Sequence, residues 1–199
     1  MRRLRLFLFL SLTTVAACGS RPYTPTMPEA LEIGTPKTIF AATIRDPKPA
    51  GGFGSGRTDG YHLLELTVSI PPNHKPGHLV FAGENPDPRN EFTMAGRRTF
   101  ETPDEFTERL NQELLSLPQD ERDITVFVHG FNSTQSETAF RAAQLTHDID
   151  VPGATVVYSW PSLGSPLGYA YDADSVMFAR DGLERLLKSL SRTKARRVV

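Results

Sequence analysis

The period of the apolar positions changes several times along the chain. Thr38-Ile39-Phe40-Ala41-Ala42-Thr43-Ile44-Arg45 is a β-branched and aromatic run that predicts a strand. Pro47 to Gly60 is rich in glycine and proline and predicts a loop. Tyr61 to Ile70 alternates apolar and polar side chains and predicts a second strand, closed by a Pro71–Gly77 turn. Short strands are expected at 79–81 and 97–100. At Thr102 the period becomes helical. Thr102 can cap, Pro103 suits the first turn and Glu105 completes a capping box. Phe106, Leu110, Leu114 and Leu117 then share one face, which Pro118 helps to end.

The second half repeats a strand–helix unit. Ile124 to Val128 reads as a buried strand that stops at His129-Gly130-Phe131-Asn132. A helix is expected over 136–148, with Phe140, Ala143 and Leu145 facing inward. Ala154 to Ser159 is a second buried strand, followed by Trp160-Pro161-Ser162. Asp172 to Leu190 reads as a long amphipathic helix capped by Asp172, its stripe made of Val176, Ala179, Leu183, Leu186, Leu187 and Leu190. Arg196-Arg197-Val198-Val199 opens a third strand. Strand–helix–strand–helix–strand predicts an α/β protein, a parallel sheet with crossover helices, preceded by a β-rich N-terminal segment.

Composition narrows this picture without overturning it. The 199 residues are 39% hydrophobic and 23% charged, ordinary values for a globular chain. Net charge is −1, and the short basic run at Lys194–Arg197 makes no basic face, so nucleic acid is not an expected partner. The single cysteine, Cys18, excludes an intramolecular disulfide and a cysteine-based metal site. Its position is informative. Arg2, Arg3 and Arg5 precede an apolar stretch from Leu4 to Leu12, far below the roughly 20 residues that span a bilayer. Val15-Ala16-Ala17-Cys18-Gly19 then resembles a bacterial lipobox. The expectation is a signal peptide over 1–17, cleavage before Cys18, lipid on its sulfur, and a proline-rich tether over 18–37. Gly19 in place of Asp favours the outer membrane, facing the periplasm. An ordinary secretory signal with an incidental cysteine is the alternative.

Candidate chemistry elsewhere is sparse. His74 and His78 stand four apart near His62, but Pro71, Pro72, Pro76 and Gly77 forbid a helix, so solvated loop histidines are expected rather than metal ligands. Gly51–Arg57 has glycines but no strand-to-helix context and no Lys-Ser/Thr pair, so phosphate binding is not expected. No metal and no organic cofactor is implied.

Phe127-Val128-His129-Gly130-Phe131-Asn132, Arg141-Ala142-Ala143-Gln144, Tyr158-Ser159-Trp160-Pro161-Ser162, Tyr171-Asp172 and Ser175 together resemble a bacterial α/β-hydrolase-fold family of poorly known function, marked by HGFN and (Y/F)SWPS motifs. Thr43-Ile44-Arg45, Phe53-Gly54, Arg57, Val68–Pro72, His74 and Gly77 fit its usual prelude, so the likeness covers residues 38–199. The resemblance implies a serine hydrolase acting on ester bonds, with a small acyl or ester substrate. It makes Gly130 and the amide of Phe131 candidates for the oxyanion hole, and His129 a residue that holds that loop. It places the nucleophile elbow, the acid and the catalytic histidine beyond Val199, so no catalytic residue is assigned within the chain. Residues 38–199 are therefore expected to be the N-terminal portion of a larger, membrane-anchored hydrolase. The alternative is a non-catalytic, truncated envelope lipoprotein with a binding or structural role.

Overall fold

The computed structural model describes residues 24–49, 51–80 and 85–199. Six strands form one mixed sheet: β1 (Thr35–Pro47), β2 (Phe53–Ile70), β3 (Thr93–Phe100), β4 (Asp123–Val128), β5 (Ala154–Ser159) and β6 (Arg197–Val198). Their spatial order is β3-β2-β1-β5-β4-β6. The first three strands pair antiparallel, while β1, β5, β4 and β6 run parallel. The helices are α1 (Pro103–Leu115), α2 (Gln135–Asp148) and α3 (Tyr169–Leu190). The α/β architecture expected from the alternating periods is present, and the N-terminal β-rich segment joins the same sheet.

Strand alternation divides the core in two. Phe40, Ala42, Ile44, Val156 and Tyr158 pack with Phe106, Leu110 and Leu114 of α1 and Ala179, Leu186 and Leu190 of α3. Ile39, Ala41, Leu64, Leu66 and Val157 pack on the other face with Ala139, Phe140, Ala142 and Ala143 of α2. Phe106 meets Phe40 and Phe100 edge-on, with centroids 5.7 and 5.6 Å apart. Burying a phenylalanine side chain is worth about 1.5–3 kcal/mol. Such stripes, rather than helix propensity, hold each helix on the sheet.

Several expectations need correction. The Pro47–Gly60 loop is only the turn over 48–52, where Gly51 and Gly52 adopt φ of 91° and 73°, so β2 begins at Phe53. Its glycines at 54, 56 and 60 lie in a strand because the long β1–β2 ribbon continues past the sheet, with register shifts after Thr43 and Arg45. The proline-rich stretch up to residue 37 holds a 3₁₀ helix at Pro28–Glu32, and Met27 donates to the Met94 carbonyl at 2.8 Å. Leu79 and Val80 carry no strand, although Val80 accepts from the Phe92 amide, and residue 81 lies outside the described residues. The strand at 97–100 starts at Thr93. Thr102 caps α1, but Glu105 accepts from the Glu101 amide, so the reciprocal capping box is absent there. A complete box stands at Thr134 and Glu137 instead. Leu145, Val176 and Leu187 are 40%, 49% and 44% exposed.

His74 is not a solvated loop residue. Its Nε2 meets Asp148 Oδ1 at 2.5 Å, and its ring packs edge-on against Phe92. Gly77 N and Gln144 Nε2 donate to the same carboxylate. Burial raises the Asp148 pKa, but these hydrogen bonds outweigh it and set it at about 2. The pair ties the turn after β2 to the end of α2.

Gly182 tests the packing of α3. A Cβ there would lie 2.2 Å from Tyr158 Oη, whose phenol donates to the Ala179 carbonyl at 2.6 Å. A mid-helix Gly→Ala change ordinarily stabilises by about 1 kcal/mol. Gly182→Ala is expected instead to destabilise by about 1–3 kcal/mol through overpacking. Adding Tyr158→Phe should recover part of the loss in a thermal melt, because it removes the clashing oxygen.

Candidate active site at the carboxyl ends of the central strands

β4 leads into α2 on one face of the sheet, and β5, its neighbour, leads into α3 on the other. Connections that leave adjacent parallel strands toward opposite faces open a crevice at their carboxyl ends, the usual ligand position in α/β sheets. The loops over 129–134 and 160–168 line this crevice. His129 and Trp160 stack there, with ring centroids 4.6 Å apart and planes 15° from parallel. Trp160 Nε1 donates to the His129 carbonyl at 2.8 Å. Each ring nitrogen of His129 faces a carbonyl, Nδ1 that of Gly130 at 2.8 Å and Nε2 that of Trp160 at 3.0 Å. The ring is 5% exposed. Its nitrogens are thus turned inward, as expected of a residue that holds the loop. A general base needs a nitrogen within reach of the reacting proton.

The next element of the site is Arg45, at the end of β1, which is 1% exposed. Its Nε donates to Ser159 Oγ at 2.9 Å and its Nη1 to the carbonyls of Gly54 and Ser162 at 3.0 Å each. Its Nη2 donates to the Ser133 carbonyl at 2.8 Å and lies 3.4 Å from His129 Nε2. Burial pulls its pKa down to about 10, with the Asp172 carboxylate opposing the fall, so it remains a cation at neutral pH. Asp172 is equally deep, at 2% exposure. It accepts from the amides of Asn132 and Leu163 at 3.2 and 2.8 Å and from Ser162 Oγ at 2.5 Å. Its expected role as the cap of α3 is corrected: the helix begins at Tyr169, and the carboxylate reaches across to the two loops instead.

Gly130 and Phe131, the oxyanion candidates, stand at the exposed tip of the first loop. The amides of Asn132, Ser133 and Thr134 donate to Asp172, Ser162 and Glu137. Those of Gly130 and Phe131 donate to no group among the described residues. A cavity of about 450 Å³ opens beside them, walled by Val128, Tyr158, Trp160, Val176, Ala179 and Leu183. Its size and apolar lining suit a small-molecule site. Phe131 packs edge-on against Tyr169 at its mouth, centroids 5.5 Å apart. Among the described residues no group of three His, Cys, Asp or Glu side chains could hold a metal, and no serine hydroxyl is hydrogen-bonded to a histidine. Cys18 lies outside the described residues.

Sequence reasoning found the loop but not its support. Arg45, Ser159 and Ser162 had no assigned role. A lone arginine ending the apolar run Thr38–Ile44 was the one available signal, since a charge directly after a buried strand needs acceptors nearby.

The sheet order, the helices on both faces and the crevice at the strand ends are those of an α/β-hydrolase-type fold. Residues 102–199, just under half of the chain, match a family described as "Alpha/beta hydrolase of unknown function (DUF900)", and this part of the chain is similar to that family. No curated protein and no solved structure matches it.

His129 gives this site a pH signature. Burial, then the Arg45 charge, push its pKa down to about 4, against its bonds to the Gly130 and Trp160 carbonyls. An unfolded histidine titrates near 6.5, so the unfolded chain holds the extra proton between about 4 and 6.5. The stabilisation from the neutral buried ring is therefore complete above that window and lost as pH falls through it. In an NMR titration His129 should remain neutral down to about pH 5. A midpoint near 6.5 would mean that the ring is open to water.

Proposed function

We propose that this chain supplies the oxyanion loop and the acyl cavity of a serine ester hydrolase anchored to a bacterial membrane through lipid on Cys18. The observation that carries the reading is the pair of adjacent amides, Gly130 and Phe131, left without partners beside an apolar cavity while the next three amides are all engaged. Preorganised backbone donors of this kind stabilise the oxyanion that develops when an ester is attacked, and one donor is worth about 2.7–4 kcal/mol. They lie just ahead of α2, whose N-terminal dipole adds to the same field. In this reading the nucleophilic serine arrives on a strand that extends β6, which runs parallel to β4 toward the Gly130 edge. The second donor is the amide after that serine, and the substrate is a small ester whose acyl group fills the cavity.

A second reading, a non-catalytic envelope lipoprotein that binds an apolar ligand, is favoured by the lack of a serine–histidine pair among the described residues. A fluorophosphonate probe separates the two. Applied to the natural protein purified from its own membrane, it should form one covalent serine adduct, located by peptide mass spectrometry. Phe131→Pro, which deletes one amide N–H, should slow labelling by about 10²–10³-fold. Absence of any adduct would leave the binding role. Anchoring is tested separately with Cys18→Ala, which should abolish palmitate incorporation in growing cells and move the protein out of the membrane fraction. A membrane-bound, unlabelled wild-type protein would sink the lipid-anchor reading.

A further inference from the structure

The turn that carries Gly130 and Phe131 is gripped from behind at the two residues that follow them, Asn132 and Ser133. Asp172 takes the Asn132 amide and the Ser162 hydroxyl. The same Ser162 Oγ accepts from the Ser133 amide at 3.1 Å. Arg45 then holds the carbonyls of both serines, Ser133 at 2.8 Å and Ser162 at 3.0 Å. Ser162 is thus fixed through two different atoms by two buried, oppositely charged groups, and Ser133 is held by Arg45 and by the Ser162 hydroxyl that Asp172 orients.

This grip explains a conformation that the local sequence does not favour. Asn132 has φ of 60°, the left-handed region, which costs a side-chain-bearing residue free energy although asparagine tolerates it better than most. Such conformations persist where the surroundings over-determine them, and they cluster at functional sites. Here the left-handed residue reverses the chain directly after Phe131 and sends the Asn132 amide inward to Asp172, leaving the two preceding amides at the cleft. The charges matter as well. A buried carboxylate behind an anion-binding turn would by itself repel a developing oxyanion. Arg45, joined to it through Ser162, cancels that field.

We infer that Arg45 and Asp172, linked through Ser162, are positioning residues that hold the 129–134 turn in the one geometry where the Gly130 and Phe131 amides serve as oxyanion donors. The inference rests on the hydrolase reading for its purpose, but not for its geometry. A lysine at position 45 would keep the charge and lose the grip. Arg45 donates to Ser159, Gly54, Ser162 and Ser133 in a planar fork, whereas an ammonium is a compact point charge.

The test compares the natural protein with Arg45→Lys, Asp172→Asn and the milder Ser162→Ala, which removes the link and leaves both charges. Amide hydrogen exchange is read at Asn132, and the labelling rate with a fluorophosphonate in parallel. Each variant should raise exchange at Asn132 by about tenfold to a hundredfold, the loss of one charge-assisted hydrogen bond. Labelling should slow by about 10²-fold, as for a donor displaced by roughly 1 Å. The melting temperature of Ser162→Ala should move little, which separates positioning from global unfolding. Unchanged exchange in Ser162→Ala and Asp172→Asn, or full rescue of exchange and labelling by Arg45→Lys, overturns the inference. If no protein labels but exchange still rises in the variants, the positioning stands and the hydrolase reading falls.

Discussion

A guanidinium cannot shed its charge inside a protein, and Arg45 is 1% exposed. Every donor it buries must therefore find an acceptor, because an unpaired buried charge costs several kcal/mol. This requirement draws together segments that are distant in sequence. The end of β1, the ribbon at Gly54, the end of β5 and the loops after β4 and β5 all meet at this side chain. Asp172 answers it from the first turn of α3, so the cluster is neutral as a whole, with His129 held uncharged between them. The shape of the crevice follows from satisfying these two buried ions.

The sheet supplies the frame for that convergence. Because α2 and α3 cover opposite faces, the loops leaving β4 and β5 diverge and open the cleft between them. Smaller devices fasten the surroundings. The Thr134–Glu137 box starts α2 directly after the turn. Arg57 lies over the Tyr171 ring, 4.3 Å from its centroid, and bonds Ser175 and the Tyr171 carbonyl, which pins the β1–β2 ribbon to α3. The family match covers residues 102–199, which contain both loops and Asp172 but not β1. The cation at the centre of the site thus comes from outside the matched segment, and the N-terminal strands are part of the site's construction.

The regular elements were legible because each carries its own period. The buried stripe Phe106, Leu110 and Leu114 marks α1, and the β-branched, mostly apolar run at 154–158 marks a strand covered on both faces. The turn at His129-Gly130 was legible as a place where a hydrophobic strand stops at a small residue. Errors gathered where side chains act over long range. Glycines at 54, 56 and 60 suggest a loop locally, yet pairing with β1 keeps them extended. His74 looked solvated because its partner, Asp148, is 74 residues away. Asp172 looked like a helix cap because capping is the commonest local use of that residue, whereas its partners lie on two other loops.

The sequence by itself determined the order and type of the elements, the two-faced sheet and the position of the candidate loop, since periodicity and turn chemistry are local properties of a chain. Only the tertiary structure decided what supports that loop: the burial of Arg45, its linkage through Ser162 to Asp172, and the left-handed turn at Asn132 that leaves two amides without partners. Hydrogen bonding between residues 10 to 117 positions apart leaves no periodic trace, because each participant needs only the right atom in the right place once the sheet has closed.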